Sequence, residues 1–114
     1  MNDCLFCKII KGEIPSSEVF SNENVYAFKD LHPMAKIHNL FIHREHSHDI
    51  NAMSKTSPEQ VVDVYKAILK WTQDEKLDSS GFRVVTNCGP DAGQTVFHTH
   101  FHVLAGEKLG LFGK

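Results

Sequence analysis

Long hydrophobic runs are missing from this 114-residue sequence. Without a run of about 18 apolar residues there is no membrane-spanning helix. A strong charge of one sign is missing too. Twelve Lys and Arg stand against fourteen Asp and Glu, a formal net charge of −2. That balance gives no electrostatic grip on a nucleic-acid backbone or an anionic membrane, so neither is expected as a partner. Cysteine is scarce and odd in number: Cys4, Cys7 and Cys88. Three thiols, two of them three residues apart, do not make a disulfide framework. The opening Met1-Asn2-Asp3-Cys4 has no basic stretch leading into an apolar one, so no secretory signal is read and a cytoplasmic location is expected. Repeats, linkers and low-complexity segments are also lacking. The length fits a single domain over 1–114, and 41% apolar with 23% charged residues is ordinary for a globular chain.

Histidine is abundant, and it is clustered. Five of the eight lie between His32 and His48, three are His98, His100 and His102, and none falls between 49 and 97.

The patterning predicts an α+β domain. Leu5, Phe6, Ile9 and Ile10 at helical spacing make a short helix over 4–10, with Gly12 as its stop. Val19-Phe20 and Val25 to Phe28 read as two strands joined by the turn residues Ser21 to Asn24. Leu40-Phe41-Ile42 centres a third strand. A long helix begins with Ser57 as N-cap, Pro58 in the first helical position and Gln60 completing a capping box, and it runs to about Leu77. Its apolar stripe is Val61, Tyr65, Ile68 and Thr72, flanked by Val64 and Trp71. Phe82 to Thr86 and Val96 to Leu104 are the fourth and fifth strands, separated by the glycine-containing loop 87–93. Strands joined by short turns imply an antiparallel sheet, with the long helix on one face.

Side chains alternate across a strand, so His98, His100 and His102 share one face, and Phe97, Thr99, Phe101 and Val103 take the other and pack on the core. Successive same-face residues are roughly 6.6 Å apart. The outer pair is therefore roughly 13 Å apart, too far for one ion with Zn–N bonds of about 2 Å, although adjacent pairs could share one. The preceding loop supplies neutral donors suited to phosphate oxygens: the backbone of Gly89 and Gly93, the amide of Gln94 and the hydroxyl of Thr95. Imidazoles beside such donors suit phosphoryl or nucleotidyl transfer, in which one attacks phosphorus and another protonates the departing atom. Such chemistry predicts a bell-shaped pH profile.

Val96-Phe97-His98-Thr99-His100-Phe101-His102-Val103-Leu104 resembles the signature of the histidine-triad (HIT) family. Cys4 to Ile10, Glu13-Ile14-Pro15, Ala27-Phe28-Lys29-Asp30 and Asn87 through Gln94 look like the Hint branch, so the likeness spans nearly the whole chain. It implies a five-stranded antiparallel sheet with two helices, continued across a homodimer. It also implies hydrolysis or transfer at the α-phosphorus of a purine nucleotide of the AMP or GMP type, through a nucleotidyl-histidine. By that likeness His100 is the nucleophile, His102 contacts the phosphate and assists the leaving group, and His38 lies beside the triad. Asn87, Gly93, Gln94, Thr95 and the backbone of Val96 serve the phosphate or leaving group. Asp30 accepts from the ribose hydroxyls, a role for which an ionised, acceptor-only carboxylate is suited; a turn residue at a strand end is the competing reading. Phe6, Ile9, Phe28 and Leu31 line the base, or are simply core.

Cys4-x-x-Cys7 on a first helical turn is half of a zinc site. The resemblance completes it with His46 and His98, giving a closed, structural set. Alternatives are a redox pair, unmetallated core residues, or His48 in place of His46. Cys88 is read as a packing residue. His43 stands where many relatives carry proline, and the sequence offers no reason for it. The tail from Gly106 to Lys114 lacks the tryptophan common in the Hint branch, which leaves the substrate open. Nucleoside phosphoramidate hydrolysis is therefore the first reading and dinucleoside polyphosphate hydrolysis the second. A nucleotide-binding scaffold with vestigial activity is the alternative from another class. The intact histidine row favours an enzyme, since binding alone needs no nucleophile.

Overall fold

A computed structural model describes residues 3–112. Its elements are α1 (Leu5–Ile10), β1 (Glu18–Ser21), β2 (Val25–Lys29), β3 (Ile37–His43), α2 (Ile50–Thr56), α3 (Pro58–Asp74), α4 (Leu77–Ser80), β4 (Phe82–Val85) and β5 (His100–Ala105). The five strands form one antiparallel sheet in the order β1-β2-β3-β5-β4, as the α+β reading expects.

Alternation along β3 sets the two faces of the sheet. Phe41 joins Val25, Ala27, Phe101 and Val103 beneath α3, where Val64, Ala67, Ile68 and Trp71 complete the main core. Leu40 and Ile42 point the other way, where Phe28 and the α1 residues Phe6 and Ile9 form a second, smaller cluster. The β1–β2 hairpin turns on Asn22, whose Oδ1 accepts from the backbone N–H of Asn24 and Val25.

Several expected details differ. The long helix stops at Asp74, because Lys76 adopts a left-handed φ of 58° and breaks it from α4. The capping box does not form. Ser57 ends α2 as well as starting α3, so its backbone answers to both helices and its hydroxyl makes no cap bond; Gln60 N–H donates to the Ser57 carbonyl. The buried stripe of α3 is Gln60, Val64, Ala67, Ile68, Trp71 and Thr72, leaving Tyr65 exposed. Helix α2, capped by the Asp49 carboxylate, was not expected.

The largest departure is at the fifth strand. Pairing begins only at His100, and residues 97–99 bend away. Thr99 explains it: its N–H donates to the Ser47 carbonyl and its hydroxyl meets the Ser47 hydroxyl at 2.6 Å, so it is held by the 44–48 loop and not by a strand ladder. Phe97, expected in the core, is exposed and stacks on His48. Cys88, expected to pack, is also exposed.

Candidate functional site

His38, His100 and His102 occupy the sheet face that carries α1. His38 of β3 and His102 of β5 are neighbours across the ladder, since His38 pairs with Leu104 and Leu40 with His102. His100 sits one same-face step from His102, with ring centroids 5.2 Å apart. Phe6 presents its ring edge-on to His100 at 5.1 Å and to Phe28 at 5.4 Å.

Fixed donors determine the protons. The Met34 N–H can only donate, so His38 Nδ1, 3.0 Å away, is its acceptor and His38 carries its hydrogen on Nε2. That Nε2–H donates to His102 Nδ1 at 2.8 Å, which leaves the His102 hydrogen on Nε2, facing outward. His100 is held the opposite way. Its Nδ1–H donates to the His98 carbonyl at 2.8 Å, so its Nε2 bears a free lone pair. One backbone carbonyl and one backbone N–H thus give a free Nε2 lone pair on His100 beside an Nε2–H donor on His102.

Asp30 lies behind this pair, with Oδ2 3.4 Å from His38 Nε2 and 3.9 Å from His102 Nδ1. Its other oxygen accepts from the His32 N–H. Burial keeps the ring pKa values low. His102 is pushed down to about 4 by burial and then by His100 and His38, with Asp30 opposing. His100 is lowered by burial against its carbonyl bond and Asp30, and His38 by burial against Asp30. All three therefore rest neutral near pH 7.

His98 serves a different centre. Its Nε2–H donates to the His43 carbonyl at 2.9 Å, so Nδ1 turns its lone pair toward α1. There it lies 3.5 Å from Cys4 Sγ, 3.5 Å from Cys7 Sγ and 3.2 Å from His46 Nδ1, while Cys7 Sγ is 3.4 Å from His46 Nδ1. A tetrahedral ion with bonds of about 2.3 Å to sulfur and 2.05 Å to nitrogen keeps S···N near 3.5 Å and N···N near 3.3 Å. The four donors match that spacing, so Cys4, Cys7, His46 and His98 could hold a zinc ion. His48 is stacked on Phe97 and stands outside the group. Asp30, His38 and His102 also lie close together, but the 2.8 Å His38–His102 distance is that of a hydrogen bond.

The loop before β5 supports the site from beneath. Gln94, expected to present its amide to phosphate, is buried and spends it internally. Its Oε1 accepts from Gly89 N–H, and its Nε2 donates to the carbonyls of His48 and Val96. Gly93 turns the chain at a φ of 83° that only glycine adopts freely. Asn87 and Val96 are half-buried and Thr95 is exposed. Of the four expected base-wall residues, Phe6, Ile9 and Phe28 form one apolar cluster, whereas Leu31 is 89% exposed and outside it.

Sequence reasoning missed Asp63. His43, buried at the end of β3, donates Nε2–H to Asp63 Oδ2 of α3 at 2.9 Å and accepts the Glu45 N–H at Nδ1. This pair pins the start of the 44–48 segment. That segment in turn holds His98 through the His43 carbonyl, Thr99 through Ser47 and Gln94 through His48. The signal was a histidine where proline is usual; its partner lies twenty positions away and no local pattern points to it.

The sequence matches the HIT domain family over residues 11–109. The chain belongs to the HIT family. Among solved structures, a histidine triad protein from Clostridium difficile is 40% identical and superposes with a TM-score of 0.94, covering 99% of this chain and 98% of that one. A HIT family hydrolase from Clostridium thermocellum is also 40% identical, with a TM-score of 0.91 over 97% of this chain and 96% of that one. The adenosine 5'-monophosphoramidase of Candida albicans is 35% identical over 104 residues, 89% of this chain and 68% of the relative. The HIT fold here therefore has its close counterparts among HIT proteins over essentially its full length. No helix among its described residues is long and apolar enough to cross a membrane.

Proposed function

We propose that this HIT protein is a purine nucleoside phosphoramidate hydrolase that works at the α-phosphorus through a nucleotidyl-histidine. The observation that carries the reading is the opposite tautomer of two adjacent rings: His100 with Nε2 free, His102 with Nε2 protonated. His100 Nε2 attacks phosphorus, forming an N–P bond, and the bond to the leaving amine breaks. The positive charge that develops on the His100 ring is stabilised by the His98 carbonyl at Nδ1. The bound phosphate favours a protonated His102; its second hydrogen then sits on Nδ1 and turns from the His38 Nε2–H toward Asp30, 3.9 Å away. His102 gives its Nε2 proton to the departing amine and recovers it from the water that cleaves the nucleotidyl-His100 bond. The Candida albicans relative's name supports the phosphoramidate over the dinucleoside polyphosphate.

The nucleotide's base lies against Phe6, Ile9 and Phe28, with Leu31 as an open flank, and its ribose hydroxyls donate to Asp30. Asn87, Gly93, Gln94, Thr95 and Val96 shape the phosphate seat, Gln94 by bracing the loop. Cys4, Cys7, His46 and His98 hold a structural zinc ion, which when bound rigidifies the segment entering β5. The cytoplasm suits these free thiols. A homodimer forms through β4. That edge is open, and Val62, Tyr65 and Leu69 stand exposed on α3, with Tyr65 beside Phe101 of β5.

A fluorogenic adenosine phosphoramidate tests the reading. Wild type turns it over, and His100→Ala loses roughly a thousandfold or more in kcat. Comparable turnover by that variant would overturn the assignment. Much faster cleavage of a dinucleoside tetraphosphate would replace the substrate class.

A further inference from the structure

Strand β3 sends two polar side chains, His43 and Asn39, into the apolar layer beneath α3. His43 is satisfied by Asp63. Asn39 is 4% exposed, and no protein group among the described residues hydrogen-bonds its amide. Sealed polar atoms without a partner are absent among the described residues, so this amide is not enclosed. It opens instead onto a cavity of about 460 Å³ between α3 and the ends of β2 and β3. An amide set in an apolar layer, with only solvent for its hydrogen bonds, stabilises the fold less than an apolar side chain would. The choice of Asn39 makes sense when a ligand takes its hydrogen bonds.

The lining indicates the ligand's chemistry. Val19, Ile37 and Trp71, all packed in the main core, give an apolar floor. Lys29 is the register partner of Asn39 on the neighbouring strand, so the two share a face. Lys36 and Glu75 complete the rim. Asp30 borders the cavity, but its carboxylate is engaged with His32 and His38 on the histidine side. Lys29, Lys36 and Glu75 join no ion pair among the described residues, so two unpaired cations stand over the apolar floor, beside the carboxylates of Glu75 and Asp30. A cation pair beside an amide donor suits a carboxylate, and the floor suits a small hydrocarbon body.

We propose that this cavity binds a small monocarboxylate with an aliphatic or aromatic body. The carboxylate accepts from Lys29, Lys36 and the Asn39 amide, and the body rests on Trp71. The cavity lies on the α3 side of the sheet, away from His100, with Asp30 and His38 at its edge, and its ligand does not depend on the hydrolase reading.

Trp71 is the sole tryptophan of the chain, so intrinsic fluorescence reports occupancy directly. Titration of the full chain with 3-phenylpropionate is expected to give a saturable change. The neutral 3-phenylpropionamide binds at least about tenfold more weakly, as does 3-phenylpropionate to the Lys29→Gln/Lys36→Gln double variant, whose exposed substitutions leave the core intact. Asn39→Leu, which removes the amide and fills the space, abolishes saturation, while His100→Ala leaves it unchanged. A linear response up to the solubility limit, equal affinity for the amide, or unaltered binding by the lysine variant would each overturn the proposal. So would competition by saturating AMP, which would assign the cavity to the nucleotide site.

Discussion

At the scale of single residues, proton placement decides the chemistry. His98, His100 and His102 look equivalent in the sequence, yet three hydrogen bonds give them different nitrogens to offer. His98 Nδ1 faces the cysteines, His100 Nε2 is free, and His102 Nε2 keeps its hydrogen. A pH effect on stability belongs to this scale. His102 is held near 4 when folded against about 6.5 unfolded. Above pH 6.5 both states are neutral and stability is flat. Below it the unfolded chain binds the proton and the folded one does not, so stability falls as pH drops from 6.5 toward 4. Up to about 3 kcal/mol is at stake for this ring. Thermal unfolding across that range should show the decline, with a shallower slope in His102→Gln. An equal slope in the variant would assign the effect to other groups.

At the scale of elements, the site depends on how the 43–48 segment is tied to α3 and to residues 94–99. Asp63→Asn keeps the shape but weakens a charge-assisted bond to a buried ring, and Asp63→Ala leaves that ring's Nε2–H without a partner. The expected loss is about 1–3 kcal/mol for the alanine and less for the asparagine, measured by urea unfolding. Activity should fall with stability, since the same segment holds His98 and Gln94; a variant of undiminished stability would deny the pair its role.

The elements also show what the sequence could reveal. Strand alternation and helical spacing made the sheet, the two main helices, the histidine face and the cysteine pair legible, because each is a local period. The start of β5 was not legible. His98 leaves the strand because Thr99 is held by Ser47, fifty-two positions away, and no local pattern records that contact. Helix α2 was missed because its Ser54, Lys55 and Thr56 look like a polar loop, and its cap, Ile50 and Met53 anchor it. Asn39 was hidden in a strand whose neighbours are apolar.

At the scale of the whole molecule, the exposed stripe on α3 and the open β4 edge make the homodimer testable. Analytical ultracentrifugation should give a dimer for wild type and a monomer for Leu69→Asp, because a charge in an apolar contact is unpaired. A wild-type monomer would remove the dimer. The proposed zinc is tested at the same scale. Metal analysis should find one ion per chain, lost in Cys4→Ala together with several kcal/mol of stability. An unchanged metal content would place the ion elsewhere.

The central claim is that His100 Nε2 becomes bonded to phosphorus during turnover. Rapid mixing with an adenosine phosphoramidate, followed by an alkaline quench and peptide mass spectrometry, tests it most directly, because a phosphorus–imidazole bond survives base. The account predicts an adenylyl group on the peptide bearing His100, absent from His100→Ala and present in Cys88→Ser. Full turnover with no such adduct at any time, or the same adduct in His100→Ala, would contradict it.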